Sequence, residues 1–266
     1  ALTIVSTAAW GLGYFGMPHI LLRFMAIEDE KKLKLSRRVA TIWVVISLFV
    51  AVFIGVIGYT MSKVGALEML TGSNSETIIV KISALLSQHG VIFALLAGVI
   101  LAGILASTMS TSDSQLLAAS SAVSSDILGA FRKDSSNKNG SMAAARITLL
   151  VISVVAAFIA RNPDSSVFAI VSFAWAGFGA AFGPVVLFSL FWKRTSKWGA
   201  LAGMVCGGSM VFIWKYLIRP LGGIWNIYEL LPAFLIACAA IVIVSLLTPK
   251  PSKEIEEEFD RVAQMK

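Results

Sequence analysis

About seven stretches of this chain are apolar for long enough to cross a bilayer, and that feature decides its class. A crossing helix needs roughly 20 apolar residues, because the hydrocarbon core is about 30 Å thick and each helical residue rises about 1.5 Å. The stretches lie at residues 1–24, 40–61, 91 to about 126, 147–160, 167–192, 198–218 and about 224–247. Of the 266 residues, 57% are hydrophobic and only 14% charged. The predicted class is therefore an all-α, polytopic membrane helix bundle over residues 1–249, with a short charged tail at 250–266. The third stretch is too long for a simple crossing. About 36 residues would reach some 54 Å, so it is expected to protrude or to be interrupted.

A net charge of +7 raises the question of a nucleic-acid partner. The basic residues, however, sit between apolar spans, and no polar segment is long enough to build a basic face on a soluble core. Their distribution instead carries orientation. Arg23, Lys31, Lys32, Lys34, Arg37 and Arg38 follow the first span; Arg132, Lys133, Lys138 and Arg146 follow the third. Lys193, Arg194 and Lys197 follow the fifth, and Lys250, Lys253, Arg261 and Lys266 follow the seventh. The alternate connections hold only Lys63, Lys81, Arg161, Lys215 and Arg219. The positive-inside rule places the richer set, and the C-terminal tail, in the cytoplasm.

The first span is irregular. Trp10-Gly-Leu-Gly-Tyr-Phe-Gly-Met-Pro-His19 places Gly11, Gly13, Gly16 and Pro18 where a helix in lipid must satisfy its own backbone. Such a break is tolerable only where it faces protein or a solvated cavity. Trp10, Tyr14 and Pro18 are spaced by four, so on a roughly helical path they share a face. Trp and Tyr offer apolar walls with one polar tip each, which suits a small, partly dehydrated organic solute. The alternative is that these rings only pack and the glycines only allow close helix contact.

A second cluster lies in the third span, where Ser107, Thr108, Ser110, Thr111, Ser112, Asp113 and Ser114 are polar and only Met109 interrupts them. Ser107, Ser110, Thr111 and Ser114 recur at three and four, which puts their hydroxyls on one helical face. Neutral hydroxyls and freed carbonyls suit a hard monovalent cation; a single such residue would more often bond back to its own helix. Asp113 within membrane depth should face a cavity, an ion or a partner, unless it already reaches the cytoplasmic vestibule.

Other features are structural. Residues 174–184 form a small-residue stretch suited to close packing and a proline bend. Residues 76–88 read as an amphipathic helix on the outer surface, and 134–140 as a polar loop. Trp192, Trp198, Trp214 and Trp225 fall at span ends, as interfacial indoles do. Cys206 and Cys238 sit inside apolar spans and indicate neither a disulfide framework nor a zinc site. His19 and His89 are isolated, and no nucleophile stands beside a base, so nothing supports an enzyme.

Three motifs carry a family resemblance: residues Trp10 to His19 with Arg23-Phe-Met-Ala26; Met109-Ser-Thr111 with Gln115-Leu-Leu117; and the run from Trp175 to Leu187. The chain resembles the sodium/solute symporter family over Trp10 to about Pro249, and most of all its proline-transporting branch. The resemblance implies a LeuT-like core of two inverted five-helix repeats followed by extra helices. This chain would then hold core helices six to ten, the second repeat, plus two accessory helices. A start at Ala1 without an initiator methionine agrees with a C-terminal portion of a longer transporter, inactive without its N-terminal repeat.

The implied activity is sodium-coupled symport of a small solute, L-proline first, by alternating access in a bacterial inner (plasma) membrane. Trp10, Tyr14 and Pro18 would be substrate-binding. Ser110 and Thr111 would give hydroxyls, and Ser107 a carbonyl, to sodium, the coupling ion. A further sodium site in some members extends that set to Asp113 and Ser114. Arg146 matches a family arginine with a gating role. The alternatives are a relative carrying another solute, such as pantothenate, and a symporter-like sensory input domain.

Overall fold

The computed structural model describes residues 2–127, 138–161 and 166–264, apart from the side chains of residues 30 and 138–141. Among the described residues every regular element is helical. The elements are α1 (Leu2–Ala9), a 3-10 helix (Trp10–Gly16), α2 (Pro18–Met25), α3 (Leu33–Lys63), α4 (Ile78–Leu86), α5 (Val91–Ser121), α6 (Lys138–Ile159), α7 (Val167–Phe191), α8 (Lys197–Ile213), α9 (Leu230–Leu247) and α10 (Lys253–Gln264). Among the described residues six helical stretches are long and apolar enough to cross a membrane, and they correspond to the second through seventh predicted spans. The protein is an all-α, multi-pass membrane protein. The first predicted span is α1, the 3-10 helix and α2 in succession, so its interruption is real.

Several boundaries move. The third span is one helical stretch of 37 residues, Val91–Ile127. It is roughly 55 Å long, against a core of about 30 Å, and it changes character at its end, where Ala122–Ile127 winds as a π-helix. The fourth begins earlier than predicted, at Lys138, so the last residues of the expected 134–140 loop are helical. Residues 134–137 of that loop, and Arg132 and Lys133 before it, lie outside the described residues. The helix expected at 76–88 is α4 flanked by two 3-10 turns, Gly72–Thr77 and Ser87–His89.

The chain divides into two compact units, Ala1–Met25 with Phe168–Lys266, and Ala26–Val167. In the first, α8 and α9 pack face to face on small residues. Gly199, Gly203 and Gly207 recur every fourth residue, one row down α8. A Cβ on them would stand 1.9 Å from Ser245 Oγ, 2.4 Å from Ile241 Cγ1 and 2.2 Å from the Ala180 carbonyl oxygen respectively. Backbones in lipid approach this closely only where side chains vanish, since van der Waals packing drives association there. Ala176, Ala180, Val211, Leu230, Ala233 and Phe234 form the core around this contact.

In the second unit, α4 lies against α3 where Gly58 leaves room for Ile78. The buried Ser120 hydroxyl of α5 donates to the Ala145 carbonyl of α6 at 2.7 Å. Helix α3 exposes Ile42, Phe49 and Phe53 along one face.

Candidate functional site

The break in the first span has a local cause. Pro18 disfavours α geometry in the residue before it, and Met17 is extended at φ −87°, ψ 112°. The ladder restarts beyond it, with the N–H groups of Ile20 and Leu21 both donating to the Met17 carbonyl. Upstream, Trp10–Gly16 winds as a 3-10 helix. Its glycines serve docking. A Cβ on Gly13 would lie 1.9 Å from Trp175 Nε1, and one on Gly16 would lie 2.3 Å from the Phe178 carbonyl oxygen. Gly179 in turn leaves room for Gly13, whose Cα would be 2.7 Å from an added Cβ. The small-residue stretch of α7 is thus a tight helix contact, as expected, and α7 runs on as one helix through Pro184.

This docking assembles an aromatic shelf. Trp10 stacks on Trp175 (centroids 5.4 Å), Phe168 (5.6 Å) and Tyr228 (5.9 Å), all within 17° of parallel. Tyr14 meets Trp175 edge to face at 4.9 Å. Trp175 Nε1 donates to the Trp10 carbonyl at 3.0 Å. Tyr228 is anchored at both ends, its hydroxyl donating to the Ser172 carbonyl at 2.6 Å and its N–H to Ser6 Oγ at 3.1 Å. Burial first, and then the adjacent Glu229 carboxylate, push the Tyr228 hydroxyl above its ordinary range, so it stays a neutral donor. Tyr14 is 51% exposed, leaving its hydroxyl end open.

The three residues read from spacing are therefore not equivalent. Trp10 and Tyr14 share one partner, Trp175. Pro18 lies across the extended Met17, at the start of α2 and exposed. The single helical face expected from a spacing of four does not form, because a 3-10 turn has three residues and the path is extended at 17. Trp175 and Tyr228 carry the shelf as much as Trp10 does. Trp175 opened a family motif but stood in a stretch whose glycines and alanines announced packing, and Tyr228 fell inside the seventh predicted span, so neither was read as a site residue.

The Ser/Thr cluster lies in the second unit, on α5. Thr111 Oγ1 donates to the Ser107 carbonyl at 3.2 Å, Thr108 Oγ1 to Ile104 at 2.5 Å, and Ser114 Oγ to Ser110 and Thr111, both at 3.0 Å. Back-bonding of this kind is the ordinary behaviour of mid-helix Ser and Thr. It also brings oxygens together. At metal–oxygen distances of roughly 2.3–2.6 Å, as hard cations take, ligands at right angles stand about 3.3–3.7 Å apart, close to the Ser107–Thr111 pair. Ser107, Ser110 and Thr111 are exposed, and an open groove along α5 is lined by Gly103, Ile104, Ser107, Thr108 and Thr111. Asp113 is exposed one turn further on, and Ser114 half-buried. Arg146 is exposed on α6, its Nη2 3.8 Å from Met142 Sδ, directly after the Ala145 carbonyl that Ser120 holds.

The family model of the sodium:solute symporter family matches residues 1–207. The chain belongs to this family. Its members are transporters rather than enzymes. The chain is 41% identical to the sodium/proline symporter of Haemophilus influenzae, over 98% of this chain and 51% of that protein. It is 40% identical to the sodium/proline symporter of Salmonella typhimurium, over 96% and 49%. To the osmoregulated proline transporter OpuE of Bacillus subtilis it is 39% identical, over 95% and 49%. The chain spans about half the length of the curated relatives it matches. No solved structure matches it.

Proposed function

We propose that this chain is the C-terminal half of a sodium-coupled symporter for L-proline in a bacterial plasma membrane. The observation that carries the reading is the aromatic shelf on a broken span, in a chain similar throughout to proline symporters. A pyrrolidine ring is small and apolar, and it suits an aromatic wall; the amino acid's charged groups need polar ends and freed backbone groups near the break. Trp10, Tyr14 and Pro18 bind the solute. Ser110 and Thr111 hydroxyls and the Ser107 carbonyl bind sodium, which is cargo here and supplies the coupling; Asp113 and Ser114 serve a further site. Arg146 acts in gating on the cytoplasmic side.

In this reading, residues 1–249 form the second inverted repeat of a LeuT-like core plus two accessory helices, and the tail at 250–266 is cytoplasmic. The other repeat supplies the remaining sodium ligands, so the bundle needs it as a partner. Sodium favours the outward-open state, the solute then binds, and one bundle rocks against the other. The test uses the full-length protein in proteoliposomes. Ser110→Ala with Thr111→Ala should raise the sodium concentration for half-maximal proline uptake by about tenfold or more, the loss of roughly 1.4 kcal/mol of ion binding. Unchanged sodium activation at normal protein levels would remove the ion site. Competition by a panel of amino acids and carboxylates decides the solute, and proline failing to compete best would overturn that assignment. The chain expressed alone should show no sodium-dependent uptake.

A further inference from the structure

Trp175 touches both Trp10 and Tyr14 of the broken span, and by different means. Its ring stacks on Trp10 at 5.4 Å and receives Tyr14 edge-on at 4.9 Å, with planes 84° apart. Its Nε1–H donates to the Trp10 carbonyl at 3.0 Å. The indole reaches that carbonyl only because residue 13 lacks a side chain, since a Cβ there would sit 1.9 Å from Nε1. Gly13, the Trp10 carbonyl and Trp175 are thus one device: the glycine opens a slot, the indole fills it, and its N–H fixes the backbone beside it.

We infer that Trp175 is the positioning residue of the solute shelf, setting the ring planes of Trp10 and Tyr14; the inference rests on the solute reading above. An indole N–H on a backbone carbonyl fixes the distance between α7 and the 3-10 segment, and two orthogonal ring contacts fix rotation about it. One hydrogen bond fixes position and two ring contacts fix orientation, so a change at 175 reaches a bound solute through Trp10 and Tyr14. Phe173 and Phe178, the nearest aromatic neighbours in α7, do neither: Phe173 pairs with Phe212 and Tyr216, and Phe178 stacks on Phe182.

The test is binding of labelled L-proline to the purified full-length protein, with far-ultraviolet circular dichroism of the same samples. Trp175→Phe keeps a ring and removes the N–H. It should weaken proline binding roughly three- to tenfold, about what one net hydrogen bond is worth, with the maximal uptake rate within twofold of wild type. Difference spectra, wild type minus variant, should show the same exciton couplet of the Trp10–Trp175 pair for Trp175→Phe and for Trp10→Phe, over an unchanged contribution from Trp214–Trp225. Gly13→Ala, which closes the slot from the other side, should weaken binding in the same direction, and its combination with Trp175→Phe should fall short of additive. Wild-type affinity in Trp175→Phe, with binding lost in Trp10→Ala, overturns the positioning role and keeps the solute site. Wild-type affinity in Trp10→Ala overturns the site and the inference together. A wild-type minus Trp175→Phe difference spectrum without that couplet overturns the stacked geometry.

Discussion

The carboxylate of Glu229 is 2% exposed and accepts a hydrogen bond from Arg219 Nη1 at 2.8 Å. Arg219 also donates through Nε to Asn226 Oδ1 at 3.0 Å. The pair closes the connection between α8 and α9, and Tyr228, next to Glu229, presents its ring to Trp10 from that connection. A carboxylate taken out of water keeps its charge only while its partner stays. Arg219→Ala should therefore destabilise the protein by roughly 3 kcal/mol, the low end for a broken buried pair because Arg219 is 40% exposed. Replacing both residues, Arg219→Met with Glu229→Leu, should recover most of that. Thermal unfolding in detergent measures it, and a wild-type melting temperature for Arg219→Ala would refute the role.

The glycine row of α8 makes a graded prediction. At Gly207 an added Cβ meets backbone, the Ala180 carbonyl oxygen at 2.2 Å, so Gly207→Ala must push α8 away from α7 and should cost about 1–3 kcal/mol. At Gly203 the added atom meets the Ile241 side chain, 2.4 Å from its Cγ1 and 2.7 Å from its Cδ1, which can turn aside in part. Gly203→Ala should cost less. Gly98, with nothing within 4 Å, is the control: Gly98→Ala should be neutral or stabilise by up to about 1 kcal/mol through helix propensity. Equal melting temperatures for the three variants would sink the close-packing account.

What was legible in the sequence follows from what each residue type can signal. Long apolar runs announced the helices, and the run at 91–126 announced a single helical stretch longer than one crossing needs, which Val91–Ile127 is. The break at Trp10–His19 was legible because Pro18 and three glycines weaken a helix wherever they stand. What those glycines face was not. A glycine states that something approaches closely, and only the fold says that Gly13 receives Trp175 and Gly16 the Phe178 carbonyl. The shared face of Trp10, Tyr14 and Pro18 presumed an α period across a segment whose residues break that period. Back-bonding was expected of a lone Ser or Thr rather than of this cluster, yet Thr111 and Ser114 both bond back to their own helix.

At the foot of α8 a small polar network holds two helix ends. Ser196 Oγ accepts from Gly199 N at 3.0 Å, the N-cap of α8, and lies 2.7 Å from Thr248 Oγ1. The Ser196 N–H donates to Ser245 Oγ at 3.1 Å, and Arg194 Nη2 to the Thr248 carbonyl at 2.8 Å, beyond the end of α9. Ser245→Ala strands a buried N–H and should cost about 1–3 kcal/mol; Ser196→Ala removes the cap and should cost about 1 kcal/mol. The Ser196–Ser245 bond uses the Ser196 backbone N–H, which Ser196→Ala keeps, so the two costs should add in the double variant. A double variant that loses clearly less than the sum in unfolding measurements would mean that the cap and the Ser245 bond are coupled.

The tail helix α10 is tied to the bundle by one surface pair, Lys193 Nζ to Asp260 Oδ2 at 2.5 Å, with the two side chains 40% and 51% exposed. The hydrogen bond to Asp260 holds the Lys193 ammonium above its ordinary value of 10.5. A raised folded value means that this contribution is complete below the unfolded value and fades as pH rises through the folded one. The tie is therefore intact at neutral pH and lost above about pH 10.5. Exposed pairs contribute little to global stability and are screened by salt. Asp260→Asn should thus leave the melting temperature unchanged while loosening α10. A spin label at residue 257 should become more mobile in Asp260→Asn, in 1 M salt and above that pH. Equal mobility in all three conditions would show that α10 is held by its Ile255, Phe259 and Val262 face rather than by this pair.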